Sequence, residues 1–410
     1  MLESDAGAHP FVVTSQRDAP AHVVEPATPA RTARVPSRRL DFLRGAAALY
    51  VVIGHARGHL FAGGAHLSQV RELGVLDYVA LALLQLTSLG TEAVILFFVM
   101  SGFAMAHSFR QSESTLSFYK KRLIRIWPPY AAAVAVAFLF AAIILRSPEP
   151  NTIATEVART GWGPLDAILM LLYVKVSSWL TAPFWSLPHE VMFYALCPLL
   201  LAGRSRTMLI LGLSVAMAIG GMLILGIYED PTRFGAVFYQ YFFGLLVFFM
   251  IGAAAYHHQD RIPRLGGRQL LLVFAVSFVV IWFLKNQVLG GWNTITSLMT
   301  APIAVLLIGN VPSSLYDRKW LNWGHFSYSL YIVHMQIIAF ASFLIERMFG
   351  VSQRDMTSYW MWMLAIPPTV ALSYLFYLAI EKRCDAALSR IRLRERVQAD
   401  AAGITAPGVR

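Results

Sequence analysis

The chain has 410 residues, 57% of them hydrophobic and 14% charged, with a mean hydropathy of +0.56. A soluble domain carries roughly 25% charged residues, so a water-facing surface over most of this chain is excluded, and the sequence reads as an all-α polytopic membrane protein. The net charge of +11 sits in short basic stretches that suit positive-inside loops and lipid phosphates. No zinc-finger, helix-turn-helix or P-loop pattern accompanies it, so nucleic acid is not an expected partner.

Residues 1–36 are rich in Ala, Pro, Thr and Arg, lack apolar periodicity and read as a disordered cytoplasmic tail. They do not have the layout of a cleavable signal peptide. Apolar runs of spanning length follow at 40–60, 80–107, 129–146, 184–202, 207–227, 234–255, 270–285, 291–310, 325–346 and 359–381. Residues 37–383 therefore form one transmembrane domain, and 384–410 a basic cytoplasmic tail. The run 165–175 is too short to span comfortably.

Charge decides the status of that short run. Arg31, Arg34, Arg38 and Arg39 place the start of the first span in the cytoplasm. Arg110, Lys120, Lys121, Arg122 and Arg125 then mark an inside loop, and 147–163 an outside one. If 165–175 does not cross, Arg204, Arg206, Arg261, Arg264, Arg268, Arg318, Lys319 and the C-terminal arginines all fall inside. The expectation is about ten transmembrane helices, both termini cytoplasmic, with 165–175 as an interfacial or re-entrant helix. Cys197 and Cys384 are not expected to pair.

Ionisable groups inside a bilayer are costly and face a cavity or a partner. The first span holds Asp41, Arg44 and His55. Arg44 and His55, eleven residues apart, lie about 20° apart around the helix and about 16 Å along it. Asp41 can pair with Arg44 three residues on. Glu190 enters from the outer side about 8 Å deep, level with His55 at about 22 Å from the inner end. A carboxylate there could orient the His55 ring and raise its basicity. The alternatives are a histidine hydrogen-bonded within the bundle and a rim carboxylate in water.

Arg122 and Arg125, with Lys120 and Lys121, form a basic cluster just before the third span. It suits phosphate oxygens or acidic lipid headgroups. Ser101 and Gly102 in the second span would serve close packing or the passage of a slender ligand. Ser327, Tyr331 and His334 share a helical face, with a hydrogen bond to a neighbouring helix the default role for His334. No metal-ligand set is evident, nor a nucleophile-elbow serine motif.

These stretches resemble the acyltransferase family 3 membrane proteins, the O-acyltransferases of bacterial surface polysaccharides. LDFLRGAAALYVVIGH carries the Arg-x10-His spacing at Arg44 and His55. FFVMSGF, RLIRIWPPY (Arg122, Arg125), FWSLPHEVMFY (Trp185, Ser186, Glu190) and FSYSLYIVH (Tyr331, His334) resemble later motifs in the same order. Phe42 departs from the family's frequent Gly, and Pro188-His189 precede Glu190.

The resemblance implies a bacterial inner-membrane enzyme. It would move an acyl group, acetyl in the first instance, from cytoplasmic acyl-CoA to a hydroxyl on an outer-side glycan or lipid-linked saccharide, such as exopolysaccharide or lipopolysaccharide. The donor is a substrate, and no permanently bound cofactor or metal is expected. On this reading His55 is catalytic with Glu190 beside it. Arg122, Arg125, Ser101 and Arg44 hold the donor, and Asp41, Trp185, Ser186, Tyr331 and His334 support the site. The competing readings are a transporter or flippase of a lipid-linked saccharide without acyl transfer, and a scaffold subunit that binds no CoA.

Overall fold

In hydrocarbon a backbone amide has no water to bond, so a spanning segment must satisfy its own donors and acceptors, and helices do so. The computed structural model describes residues 37–112, 114–147, 151–175, 179–224, 234–289, 294–318 and 323–401, and they contain helices, turns and no strand. The expected tail over 1–36 lies outside them. The first long helix is α1 (Ser37–Leu60), followed by α2 (Gly90–Arg110) and α3 (Thr115–Leu145). Then come α4 (Pro164–Leu171), α5 (Leu187–Ala195), α6 (Arg204–Ile224) and α7 (Phe234–His257). The last are α8 (Gly267–Phe283), α9 (Thr294–Asn310), α10 (Ser327–Phe349), α11 (Ile366–Phe376) and α12 (Lys382–Ala401).

Five stretches are long and apolar enough to cross a membrane: Val75–Arg110, Thr115–Leu145, Gly267–Val288, Trp323–Phe349 and Met361–Glu395. Gly244–His257 and Ile295–Asn310 are shorter apolar helices. On α8, Leu271, Leu272, Phe274, Val276, Val279 and Phe283 are exposed, a continuous apolar surface of the kind that lipid covers.

Three sequence expectations change. The run 184–202 is not one helix but a 3-10 segment over Trp179–Ser186, then α5, then a single turn over Cys197–Leu200. Pro183, Pro188 and Pro198 each remove an amide donor, and the last two open a new helix in its first turn. The run 80–107 is interrupted between a helix ending at Leu84 and the start of α2, by a 3-10 turn at Gln85–Thr87. The basic cluster does not precede α3 but lies within it. The helix begins at Thr115, where the Ser114 hydroxyl caps the Ser117 amide.

The segment expected as a basic tail is helical as far as Ala401 and packs on α3. Lys121 pairs with Glu395 at 2.5 Å and Arg125 with Asp385 at 3.8 Å. The short segment 165–175 holds most of α4. Asp166 accepts bonds from Lys175 at 2.5 Å and from the Gly163 amide at 2.7 Å, and the Lys175 bond leads in holding its carboxyl below the usual range. Cys197 and Cys384 are both free thiols.

The tightest joint joins α2 to α7. A Cβ on Gly102 would lie 1.8 Å from the Phe249 carbonyl oxygen, and one on Gly252 1.9 Å from that of Val99. The two backbones touch, as small residues allow in membranes. Of the two roles open to Gly102, the structure shows close packing. Gly102→Val is expected to destabilise the bundle by about 3 kcal/mol or more. The readout is the thermal midpoint in detergent. Gly212→Ala, with nothing within 4 Å of the added carbon, should leave that midpoint unchanged or raised. An equal response from both variants would contradict the packing account.

A buried ion pair fixes α2 to the end of α8. Lys285 Nζ lies 2.7 Å from Glu92 Oε2, and the two residues are 8% and 5% exposed. Lys285 sits in a wider π-helical turn over Leu284–Leu289, and Nζ also reaches the Ser88 carbonyl at 3.5 Å. At the other end of the chain, a second π turn over Tyr377–Glu381 brings Glu381 onto Ser329 of α10. The carboxylate accepts from the Ser329 amide at 3.1 Å and its hydroxyl at 2.5 Å.

Candidate active site

His55 lies on the last two turns of α1, a helix with a small-residue face whose Ala48 and Ala56 are fully buried. That face packs on α10. Close approach at the Asp41 end of α1 is set by Gly324: a Cβ there would lie 2.0 Å from the Asp41 carbonyl oxygen. At the opposite end the approach delivers one ring to another. His55 Nδ1 is 2.8 Å from His334 Nε2, with ring centroids 5.1 Å apart and planes within 12°. His334 is 0% exposed, and its Nδ1 lies 3.0 Å from the Leu330 carbonyl oxygen.

The sequence reading paired His55 with Glu190, and the structure corrects that contact. Glu190 accepts hydrogen bonds from Ser101 Oγ at 3.2 Å and from the Tyr194 hydroxyl, while Ser101 and Tyr194 are 2.8 Å apart. Equal depth in the membrane says nothing about position around the bundle. Glu190 is on α5, which faces α2, whereas His55 faces α10. The ring is held by a neighbouring histidine, and the default expected of His334, a bond to another helix, is met with His55 as the partner.

Tyr331 is one turn before His334 and does not point to solvent. Its hydroxyl is 2.8 Å from Ser186 Oγ and donates to the Pro183 carbonyl at 3.0 Å. These bonds tie α10 to the 3-10 segment that carries Trp185. The Trp185 carbonyl accepts from His189 Nδ1 at 3.0 Å. Asp41 and Arg44 pair at 3.8 Å, as the spacing predicts.

Arg122 joins the Glu190 group. Its Nη2 donates to Ser108 Oγ at 2.5 Å, and its guanidinium lies 5.6 Å from the Phe118 ring centre and 6.0 Å from that of Tyr194. Its Nε is buried with no hydrogen-bond partner. Arg125 is the more exposed of the two arginines and faces Asp385. The structure thus brings together two groups, His55–His334 and Ser101–Glu190–Tyr194–Arg122.

Two members escaped the sequence reading. Tyr194 is four residues beyond Glu190, a spacing that puts both on one helical face. His59 is one turn beyond His55. Its ring stands edge-on to Trp179 at 4.4 Å and 6.4 Å from His55, and its buried Nδ1 has no partner. The same i, i+4 rule would have found it. Among the described residues no group of three or more His, Cys, Asp or Glu side chains is placed to hold a metal ion.

Long apolar helices that bring a histidine pair and a buried arginine–carboxylate group together define a membrane protein with ionisable chemistry inside its bundle. The family follows from comparison. The family model described as "Acyltransferase domain" matches residues 37–378, and the chain belongs to this family, the acyltransferase family 3 that its motifs resemble. The family is one of acyltransferases.

The chain is 35% identical over 182 residues to a protein of Streptomyces mycarofaciens named Acyltransferase MdmB, a match covering 42% of this chain and 40% of that relative. It is 24% identical over 357 residues to Nodulation protein 10 of Rhizobium leguminosarum bv. viciae, covering 83% of this chain and 91% of the relative. The chain thus spans less than half the length of the first relative and nearly all of the second. No solved structure matches.

Proposed function

We propose that the chain is an inner-membrane O-acyltransferase. It transfers an acyl group, acetyl in the first instance, from cytoplasmic acyl-CoA to a hydroxyl of an outer-side glycan or lipid-linked saccharide. The observation that carries this reading is the 2.8 Å bond between His55 and His334. It fixes one imidazole within the membrane helices of an acyltransferase. The full ten spans, with both termini in the cytoplasm, give the donor its side and the acceptor the other.

In the reaction His55 takes the proton of the acceptor hydroxyl. The hydroxyl oxygen bonds to the thioester carbonyl carbon, the carbon–sulfur bond breaks, and the CoA thiolate leaves. His55 returns its proton to that thiolate. A histidine base contributes about 10²–10⁴ in rate. The Ser101–Glu190–Tyr194–Arg122 group serves the donor side, with Arg122 and Arg125 receiving CoA phosphates and Arg44 continuing the polar face of α1. The buried, unpartnered Nε of Arg122 is a donor ready for an anionic oxygen.

Membranes given radiolabelled acetyl-CoA should pass label to the glycan fraction of an expressing strain. Saccharide movement without label transfer would favour a flippase, and no CoA binding at all a scaffold subunit. Arg122→Ala should raise KM for acetyl-CoA about 10–100-fold, since a hydrogen bond to a charged group is worth about 1.5–3 kcal/mol, with a smaller change in kcat. An unchanged KM would remove Arg122 from the docking site.

A further inference from the structure

Two bonds that share the His334 ring decide which nitrogens carry hydrogen. His334 Nδ1 lies 3.0 Å from the Leu330 carbonyl oxygen. A carbonyl only accepts, so His334 Nδ1 must carry a hydrogen and donate it. His334 is fully buried, and its two hydrogen-bond partners, a carbonyl and an imidazole, supply no counter-charge. A charged ring there would be uncompensated, so the ring is neutral. A neutral imidazole has one N–H, which makes Nε2 of His334 an acceptor.

That acceptor is 2.8 Å from His55 Nδ1. The hydrogen of the bond therefore belongs to His55 Nδ1. A neutral His55 then has no hydrogen on Nε2, which carries a lone pair. The near-parallel ring planes, 12° apart, let the N–H and the accepting lone pair meet in plane. The ring chemistry runs opposite to this when unassisted, since a free neutral histidine side chain favours its hydrogen on Nε2. That tautomer would present a donor where the reaction needs a base.

We propose that His334 is a positioning residue which, anchored by the Leu330 carbonyl, holds His55 as the Nδ1–H tautomer and so presents Nε2 as the base. The arrangement also suits the charged stage. When Nε2 takes the hydroxyl proton, His55 becomes a cation whose Nδ1–H already points at a neutral acceptor. The bond strengthens by charge assistance with no atom needing to turn. The other titratable rings nearby are His59, 6.4 Å from His55, and Tyr331, 6.1 Å from His334. Tyr331 is already engaged with Ser186 and Pro183, so it does not compete for the shared proton. The tautomer assignment stands on the hydrogen bonds and the burial of His334, while the base role rests on the function proposed above.

The test has a spectroscopic arm and a kinetic arm. The full chain, labelled with 15N-histidine and placed in lipid bilayers, is examined by solid-state NMR at neutral pH, and His55 is assigned by its loss in His55→Gln. The expected result is a protonated Nδ1 and an unprotonated Nε2 on His55, with a nitrogen–nitrogen correlation to His334 Nε2. A His55 protonated on Nε2 in the unmodified protein would overturn the proposal, whatever the activity. Finding the expected tautomer in a protein that transfers no label would instead retain the relay and reject the acyltransfer reading of this site.

In the kinetic arm, acetyl transfer from labelled acetyl-CoA to the membrane glycan fraction is measured for His334→Gln and His334→Leu. Gln offers a carbonyl oxygen near the place of Nε2 and should keep kcat within about 10-fold of the parent. Leu offers no acceptor and should lower kcat by about 10²-fold or more, with KM for acetyl-CoA unchanged; a wrongly held tautomer in a serine protease triad costs about 10⁴. Equal losses in both variants, or a loss seen only in KM, would count against a tautomer-setting role.

Discussion

His55→Ala is expected to lower acyl transfer by about 10²–10⁴-fold, the range a histidine base supplies, and leave expression and membrane insertion intact. The expectation starts from the sequence. Spacing puts His55 on the polar face of α1 with Arg44, and packing gives its Nδ1 a defined partner in His334. The substitution removes one side chain near the end of a helix and replaces it with the best helix former. The cost should therefore fall on chemistry. Labelled acetyl-CoA supplied to membranes from both strains reads the difference, and a thermal midpoint measured in detergent monitors folding. Undiminished label transfer in the variant would remove His55 from the mechanism. A lost fold would show as a collapsed midpoint, and His55→Gln would then carry the test.

The second large effect is structural and lies at the Glu92–Lys285 pair. Lys285→Met leaves the Glu92 carboxylate buried without its cation. Breaking a buried pair in this way costs about 3–5 kcal/mol, whereas replacing both partners by apolar residues is often neutral or stabilising. The expected series is a large drop in thermal midpoint for Lys285→Met, a similar drop for Glu92→Leu, and substantial recovery in the double variant. The coupling between the two changes is the quantity of interest. Additive losses would mean that the carboxylate and the ammonium do not depend on each other. The prediction draws its size from burial, since an exposed pair with the same 2.7 Å separation would be worth about 1 kcal/mol or less.

Much of the helical architecture was legible because long apolar runs have few readings in a chain so poor in charge. The runs that became α1, α3, α7, α8, α9 and α10 needed only hydropathy and length. The misread stretches were those where proline acts at short range. Around Pro183, Pro188 and Pro198 the composition is as apolar as in a span, but each ring takes away a backbone bond. The start of α3 was missed for the opposite reason. Its first turns are basic and polar, and only the capping hydroxyl of Ser114 shows that a helix has begun.

The residues of the candidate site were legible and their pairings were not. Ionisable groups in apolar runs pointed to His55, Glu190 and Arg122, and the shared motif order pointed to the family. Depth was computable from helical rise, so His55 and Glu190 were placed level. Their azimuths depend on which helices pack together, which a single sequence does not encode locally. Lys285 and Glu92 illustrate the same limit. Each was an ionisable residue in or beside an apolar run, and nothing in the sequence joined two residues 193 positions apart.

The contact between α2 and α7 has a mechanical consequence. Where Gly102 meets the Phe249 carbonyl and Gly252 that of Val99, no layer of side chains separates the two backbones. Side chains are what let packed helices slide or re-register, and here there are none to exchange. The pair behaves as a keel, a fixed member against which other parts turn. Ser101 is adjacent to Gly102, so the Glu190 group is hung from that keel. The jointed member is the twice-interrupted segment from Trp179 to Leu200. The breaks fall at residues 186–187 and 196–197, so Glu190 and Tyr194 stand on the middle piece and meet the keel at Ser101.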